Sequence, residues 1–265
     1  MTLHTFRTAG PDGSGALPVV LLHGFPLDHR MWDAVAEALP GDRTVLAVDL
    51  PGTPGSADAL PEPSLDASAD LVATDLRAAG HDRAVVVGLS MGGYVALALL
   101  ERHPDLVAGL GLVDTKSTAD TDEARANRLR IAAAAEDGDT VEPVRPMSTG
   151  LLGESSRAAR PELVDQLAAW IEDQPPAGVA WSQRAMAARP DRTEVLRAFP
   201  GPVVAVVGDE DTVTPVSAAE HLVAAAPDAQ LVVVARAGHM SAVEDPSAVA
   251  AALADLLQRA DTATA

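Results

Sequence analysis

Six short runs rich in valine and leucine, each bounded by turn residues, constrain the fold of this 265-residue chain most strongly. The runs are apolar throughout and do not alternate with polar residues, which is typical of strands buried on both faces of a parallel sheet. They cover residues 16–24, 43–52, 83–90, 106–114, 201–209 and 229–238. A further run at 3–8 is a candidate for an additional strand at the sheet edge.

Helical patterns lie between these runs and complete an alternation of strand and helix. They cover residues 28–39, 64–79, 94–101, 217–226 and 246–258, and Gly80 is a suitable C-cap for the second. Such an alternation predicts an α/β fold with a doubly wound, mostly parallel sheet.

The alternation breaks between Thr115 and Pro190, where no strand-like run occurs. This stretch instead carries helical patterns at 120–135, 161–173 and 179–188, with a segment rich in Gly, Pro and charge after the first. We therefore expect a helical cap over residues 115–190, inserted after the strand that ends at Asp114. Residues 1–114 and 191–265 then form the core.

Composition excludes several classes of protein. The chain has no cysteine, which rules out disulfides, thiolate metal sites and a cysteine nucleophile. Its formal net charge of -19 repels polyanions, so nucleic acid is not an expected partner. The first residues lack the pattern of a signal peptide, and no apolar run has the length of a membrane span. We expect a soluble cytoplasmic protein that does not bind membranes, and the sequence leaves its oligomeric state open.

Residues 88–92, Gly-Leu-Ser-Met-Gly, fit the pattern G-x-S-x-G between a predicted buried strand and an apolar helix. In this motif the serine lies on a sharp strand-to-helix turn, and its oxygen projects above the sheet. The turn strains the backbone, and the small residues Gly88 and Gly92 avoid a clash there. Ser90 is therefore the candidate nucleophile.

A serine hydroxyl becomes a good nucleophile when a histidine, oriented by a carboxylate, removes its proton. In this architecture the chain order is serine, acid, histidine. Asp211 and His239 follow predicted strands in that order, at the strand ends where ligands bind in open α/β sheets. Asp114, at the end of another strand, is a competing acid, whereas the position of Asp209 favours a turn or capping role.

The remaining histidines favour other roles. His23 ends a buried strand in the stretch LLHGFP, where its side chain can hold the loop through hydrogen bonds. Surface or packing positions are expected for His4, His29, His81, His103 and His221.

Acyl transfer also needs hydrogen-bond donors for the oxyanion. One is expected from the N–H of the residue after the nucleophile, Met91, and the other from the loop after the strand at 16–24. In that loop the candidate is the N–H of Phe25. The Phe25–Pro26 bond is a candidate for the cis form, which is accessible before proline and suits tight turns.

Together these motifs resemble the α/β-hydrolase superfamily almost end to end. The stretches that carry the resemblance, in the order and spacing of that superfamily, are HGFPLDHRMW, DLPGTPGS, GLSMGGY, GDEDTVTP and GHMSAVEDP. Within it the chain looks like the serine-nucleophile branch of carboxylesterases, 3-oxoadipate enol-lactonases and cofactor-free perhydrolases. One departure is Pro54, which replaces the second glycine of the usual G-x-G-x-S, with Gly55 following; this leaves the shape of the loop open.

The resemblance implies a serine hydrolase that cleaves carboxylic esters or lactones through an acyl-enzyme, without metal or cofactor. A perhydrolase, a C–C hydrolase of ring-cleavage products and a non-catalytic ligand receptor are the alternatives on the same fold. A small uncharged substrate is expected, because the net charge of -19 disfavours anions. If the side chain of Arg184 or Arg189 points into the pocket and binds a carboxylate, an anionic substrate is expected instead.

The acyl pocket is expected between the cap and the core. Besides Phe25 and Met91, the predicted pocket residues are Trp32, Met147, Leu151, Trp181 and Met186. For Trp181, and for Trp170, anchoring of a cap helix is an equally weighted alternative.

Overall fold

The computed structural model describes residues 1–10, 16–56 and 60–264. Seven strands form one sheet in the order β1-β3-β2-β4-β5-β6-β7. The first strand is antiparallel to its neighbour at one edge, and all other neighbouring strands are parallel. The predicted fold class is confirmed. The strands are β1 (Thr2–Arg7), β2 (Val19–Leu22), β3 (Val45–Asp49), β4 (Ala84–Leu89), β5 (Val107–Val113), β6 (Val203–Gly208) and β7 (Ala229–Val234).

Helices flank the sheet and fill the connection between β5 and β6. They are α1 (Asp33–Ala38), α2 (Leu65–Ala78), α3 (Met91–Arg102), α4 (Asp122–Gly138), α5 (Met147–Gly150), α6 (Glu154–Ala159), α7 (Glu162–Glu172), α8 (Pro176–Ala187), α9 (Thr193–Arg197), α10 (Val216–Ala225), α11 (Ser241–Glu244) and α12 (Pro246–Thr264). Local chemistry sets their limits: α2 begins where Ser64 Oγ accepts a 3.2 Å hydrogen bond from Ala67 N. It ends before Gly80, which has a φ of 85°. None of the helices among the described residues combines the length and apolarity needed to cross a membrane.

Burial differs between the middle and the edge of the sheet. Every residue of β2 to β6 is buried, as predicted for strands covered on both faces. The same prediction is wrong for β7, where Val233 is 45% exposed. Because β7 is the last strand of the sheet, it pairs on one side only and the flanking helices cover it incompletely.

The inserted segment, residues 115–190, is helical wherever it has regular structure, and α4 packs against α8 within it. One of its close contacts with the core is a pair of glycines. A Cβ added at Gly178 in α8 would lie 1.7 Å from the carbonyl oxygen of Gly52. Gly52 itself has a φ of 101°, and its N–H donates a 3.1 Å hydrogen bond to Ser56 Oγ. The loop at 51–56, whose shape the sequence left open, is thus closed by its own hydrogen bonds.

Candidate active site

Ser90 lies at the turn between β4 and α3, with a φ of 51° that non-glycine residues rarely adopt. Two contacts fix this turn: Ser90 N donates to Val113 O at 2.9 Å, and Thr115 Oγ1 donates to Ser90 O at 2.8 Å. The surrounding structure therefore holds the serine in a strained conformation, which is typical of functional turns.

The two glycines of the motif are required by close backbone approach. A Cβ at Gly88 would lie 2.2 Å from the carbonyl of Gly92, and one at Gly92 would lie 2.1 Å from Leu22 O. Any larger residue would push apart the strand, the turn and the helix. The steric reason predicted for these glycines is confirmed.

The structure brings Ser90, His239 and Asp211 into one hydrogen-bonded chain. Ser90 Oγ lies 2.9 Å from His239 Nε2, and His239 Nδ1 lies 2.8 Å from Asp211 Oδ2. The three residues follow β4, β7 and β6 and are buried, with relative exposures of 8%, 2% and 5%. In this arrangement Nδ1 carries a proton toward the carboxylate, and Nε2 is free to accept one from the serine.

Asp211 is held by the residues that follow it. Its Oδ1 accepts hydrogen bonds from Val213 N at 2.7 Å and Thr214 N at 2.9 Å, and its Oδ2 accepts one from Thr214 Oγ1 at 2.8 Å. Burial alone raises the pKa of Asp211, but the hydrogen bonds from His239 and Thr214 outweigh it and hold that pKa below its usual value. No sequence motif singled out Thr214, although a hydroxyl three residues after an aspartate is a known local partner for it.

Asp114 lies beside this chain but bonds elsewhere. Its Oδ1 accepts from Gly208 N at 3.0 Å, and its Oδ2 accepts from Ser241 N at 3.0 Å and Ser241 Oγ at 2.6 Å. Burial, with the negative charge of Asp211 nearby, raises its pKa well above the usual value. Asp209 accepts from Arg236 N at 2.6 Å, so its side chain links the ends of β6 and β7 and does not cap its own turn.

Glu244, which no sequence motif singled out, fixes the backbone on both sides of His239. The buried carboxylate of Glu244 accepts from Gly238 N at 2.9 Å and Met240 N at 3.1 Å. Its other oxygen accepts from Gly153 N, in the inserted segment, at 2.9 Å. Glu244 therefore joins the histidine loop to the inserted segment.

The backbone amides of Phe25 and Met91 are available to a ligand. Neither donates a hydrogen bond to another group in the described part of the chain, and both residues line the same small cavity. Met91 N is also at the first turn of α3, where helix amides point outward. The Phe25–Pro26 peptide bond is cis, as predicted.

His23 fixes the loop that carries the Phe25 amide. Its Nε2 accepts from Leu50 N at 3.0 Å, so its Nδ1 carries the proton and donates to Gly24 O at 3.0 Å. Burial lowers the pKa of His23, which favours this neutral form. The structural role predicted for His23 is confirmed.

The cavity at Phe25 and Met91 has a volume of about 10 Å³, roughly enough for one water molecule. The core supplies one wall and the inserted segment the other. The lining residues are His23, Phe25, Pro26, Leu27, Gly52, Thr53, Met91, Gln174, Gly178, Val179 and Ser182.

The five other residues predicted for the pocket each have a different environment. Leu151 O accepts from His239 N at 2.9 Å, and Trp181 Nε1 donates to Pro61 O at 2.6 Å. Met186 Sδ lies 3.2 Å from an Arg128 nitrogen. Trp32 is fully buried in the core and Met147 is partly buried against it. Their place in a substrate pocket stays a prediction.

The two arginines that could turn inward and bind an anionic substrate, Arg184 and Arg189, each bind a carboxylate of the inserted segment. Arg184 binds Glu136 at the surface. The buried Arg189 donates to Asp120 at 2.9 Å, and its guanidinium carbon lies 3.9 Å from the ring centre of Tyr94. The carboxylate of Asp120 also binds two other cations: Lys116 Nζ lies 3.3 Å from Oδ1, and Arg128 Nε lies 2.5 Å from Oδ2.

The family model of the alpha/beta hydrolase fold matches residues 18–246, so the chain belongs to this family. It is 30% identical to the pimeloyl-[acyl-carrier protein] methyl ester esterase of Aromatoleum aromaticum, over 91% of this chain and 98% of that protein. It is also 30% identical, over 88% of its length, to the dihydrolipoyllysine-residue acetyltransferase component of the acetoin cleaving system of Pseudomonas putida, of which it spans 61%. Among solved structures, a thermophilic esterase from Thermogutta terrifontis with malate bound has a TM-score of 0.90 and 34% identity, covering 98% of this chain and 93% of that one.

Proposed function

We propose that this protein is a serine hydrolase that cleaves carboxylic esters or lactones through an acyl-enzyme. The observation that carries the proposal is the buried chain from Ser90 Oγ through His239 to Asp211, with contacts of 2.9 Å and 2.8 Å. The relatives with esterase names support the same class of reaction.

The proposed reaction uses these groups in two half-reactions. Ser90 Oγ attacks the carbonyl carbon while His239 Nε2 takes its proton, and Asp211 stabilises the imidazolium that forms. His239 then gives the proton to the leaving oxygen, which leaves an ester on Ser90. Water, activated by the same histidine, attacks that ester and releases the acid.

The negative oxygen of each tetrahedral intermediate needs donors, and we assign the amides of Phe25 and Met91 to this task. Their lack of partners in the described chain and their common cavity support the assignment. The first turn of α3 adds a favourable dipole at Met91. One such donor is worth about 2.7–4 kcal/mol in the transition state.

The inserted segment serves as a cap in this proposal, with the core formed by residues 1–114 and 191–265. Support comes from Gly178 and Val179, which line the cavity, and from Leu151 O, which bonds His239 N. Because the cavity is so small, an acyl group enters it only when cap residues move aside. Leu151, Met147, Trp181 and Met186 of the cap are the proposed acyl contacts, with Trp32 from the core.

The decisive experiment is a steady-state screen of p-nitrophenyl esters with graded acyl length, together with a lactone panel, with and without hydrogen peroxide. We expect turnover in water that continues far beyond one equivalent and disappears in Ser90→Ala. A single equivalent of product would indicate a ligand receptor. Rates that rise strongly with peroxide as acyl acceptor would instead indicate a perhydrolase.

A further inference from the structure

A second cluster of chemically competent side chains, separate from the Ser90 chain, lies where β1 meets the end of β3. His4 Nε2 lies 2.7 Å from Asp49 Oδ2, and His29 Nδ1 lies 3.0 Å from both oxygens of the same carboxylate. The two imidazole rings are stacked, with centroids 3.6 Å apart and an angle of 16° between the planes. One ligand atom from each of the three residues lies within 4.8 Å of the others.

We propose that His4, His29 and Asp49 bind one divalent transition-metal ion, of which Zn²⁺ is the test case. Two imidazoles and one carboxylate suit zinc, cobalt and nickel, whereas magnesium and calcium prefer oxygen ligands alone. The proposal concerns a site outside the ester chemistry and does not depend on it.

The backbone already fixes the three ligands relative to one another. His4 lies in β1, which pairs with β3 directly, and the last residue of β3 is Asp49. The N–H of His29 donates to Asp49 Oδ1 at 2.9 Å, so the turn that carries His29 is tied to the same carboxylate. A metal ion therefore finds ligands whose backbones need little ordering.

Side-chain exposure leaves space for the adjustment that metal binding requires. The side chains of His4 and His29 are 31% and 26% exposed, while that of Asp49 is 8% exposed. Two ligands bonded to zinc at about 2.1 Å in tetrahedral geometry lie roughly 3.4 Å apart. The ring nitrogens now lie 2.7 and 3.0 Å from the Asp49 oxygens, so the partly exposed rings rotate about their χ angles to reach that separation, and water fills the remaining position.

Metal binding requires each imidazole proton to move to the other ring nitrogen. Each imidazole now directs an N–H toward Asp49, and metal binding moves the proton of His4 to Nδ1 and that of His29 to Nε2. Neither of those nitrogens bonds another group in the described chain, so both can carry it. Asp33 interacts electrostatically with both histidines and adds negative charge beside the ion, while Arg30 is occupied by Asp28 and Asp173.

The test is calorimetric titration of the untagged protein with Zn²⁺, together with the absorption spectrum of the Co²⁺ form. We expect one equivalent to bind with a Kd below about 10 μM and to raise the Tm. The double variant His4→Gln/His29→Gln should lose this binding and the Tm shift. The matched control His81→Gln/His103→Gln, which removes the same number of histidines elsewhere, should keep both.

Two results would overturn the site. One is the absence of saturable binding by the wild type, and the other is unchanged binding by His4→Gln/His29→Gln. His239→Ala separates this site from the ester chemistry, because a metal held by His239 and Asp211 would be lost in that variant. The proposed site should retain its metal there while ester turnover disappears.

Discussion

Thr214 Oγ1 donates a 2.8 Å hydrogen bond to Asp211 Oδ2, the same oxygen that accepts from His239. The hydroxyl also lies 3.2 Å from His239 Nδ1, so it contacts both members of the pair. The carboxylate is thereby oriented by its own turn and not by the histidine alone. An aspartate held in this way presents a fixed acceptor to His239.

Removing this hydroxyl should change stability in a pH-dependent manner. A carboxyl whose folded pKa is depressed contributes stability that is present above the unfolded value of about 3.9 and lost as pH falls through the folded pKa. We expect Thr214→Val to be less stable at neutral pH by about 1–2 kcal/mol, and its free energy of unfolding to fall less steeply below about pH 4. Urea denaturation across pH measures both effects, and Thr214→Ser should behave as the wild type. Equal losses in the Val and Ser variants would contradict the hydrogen bond.

The proposed triad predicts a distinct pattern of activity loss. Ser90→Ala, His239→Ala and Asp211→Asn should each lower kcat by about 10³-fold or more, with unchanged circular dichroism. Double variants should lose little more than single ones, because the three residues act as a unit. Asp114→Asn is the control, since Asp114 bonds Ser241 and Gly208. A severe loss in that variant beside a mild loss in Asp211→Asn would reassign the orienting acid.

Glu244 should matter for both stability and turnover, although it touches no reacting atom. A glutamine at 244 places an NH₂ group against backbone N–H donors that now have a carboxylate. We expect Glu244→Gln to cost about 1–3 kcal/mol of stability and to lower kcat more than it raises KM, because the His239 loop loses its support. Melting curves and ester kinetics test this, and the exposed Glu220→Gln is the control.

The sequence predicts the sheet well because strands that are buried on both faces, here β2 to β6, consist of apolar residues throughout. It also predicts Ser90, Asp211 and His239, since each lies in a local motif at the end of a strand. Glu244 escapes such reasoning because one of its partners, Gly153, is 91 residues away and contributes only a backbone N–H. No pattern in the amino-acid sequence indicates that contact.

The residues that line the cavity could not be predicted from the sequence for a related reason. Gln174 and Ser182 line it from the inserted segment, and neither stands out by residue type. The sequence indicates that α8 is helical but not which of its faces meets the core. The close contact between Gly178 and Gly52 determines which face of α8 packs against the core, and this contact depends on the tertiary structure.

This glycine contact gives a prediction about docking of the cap. A Cβ at position 178 would lie 1.7 Å from Gly52 O, so the helix must move away from the core in Gly178→Ala. Overpacking of this kind costs about 1–3 kcal/mol, and we expect a lower Tm together with altered acyl-length preference. Gly150→Ala is the matched control, because a Cβ there meets nothing within 4 Å. Equal Tm values for the two variants would show that the contact is not tight.

Finally, the proposed hydrolase should prefer a small uncharged ester over a matched analogue that carries a carboxylate. The net charge of -19 opposes the approach of anions, and the bonds of Arg184 to Glu136 and of Arg189 to Asp120 occupy the arginines that could offset it. We expect kcat/KM to favour the neutral ester by about tenfold at low salt, and less at high salt because ions screen the field. The weak point is Asp120, where Arg128, Arg189 and Lys116 together leave excess positive charge. A preference for the carboxylate at both salt levels would reject the prediction. If Arg128→Gln abolishes that preference and Arg184→Gln preserves it, the cluster around Asp120 binds the anion.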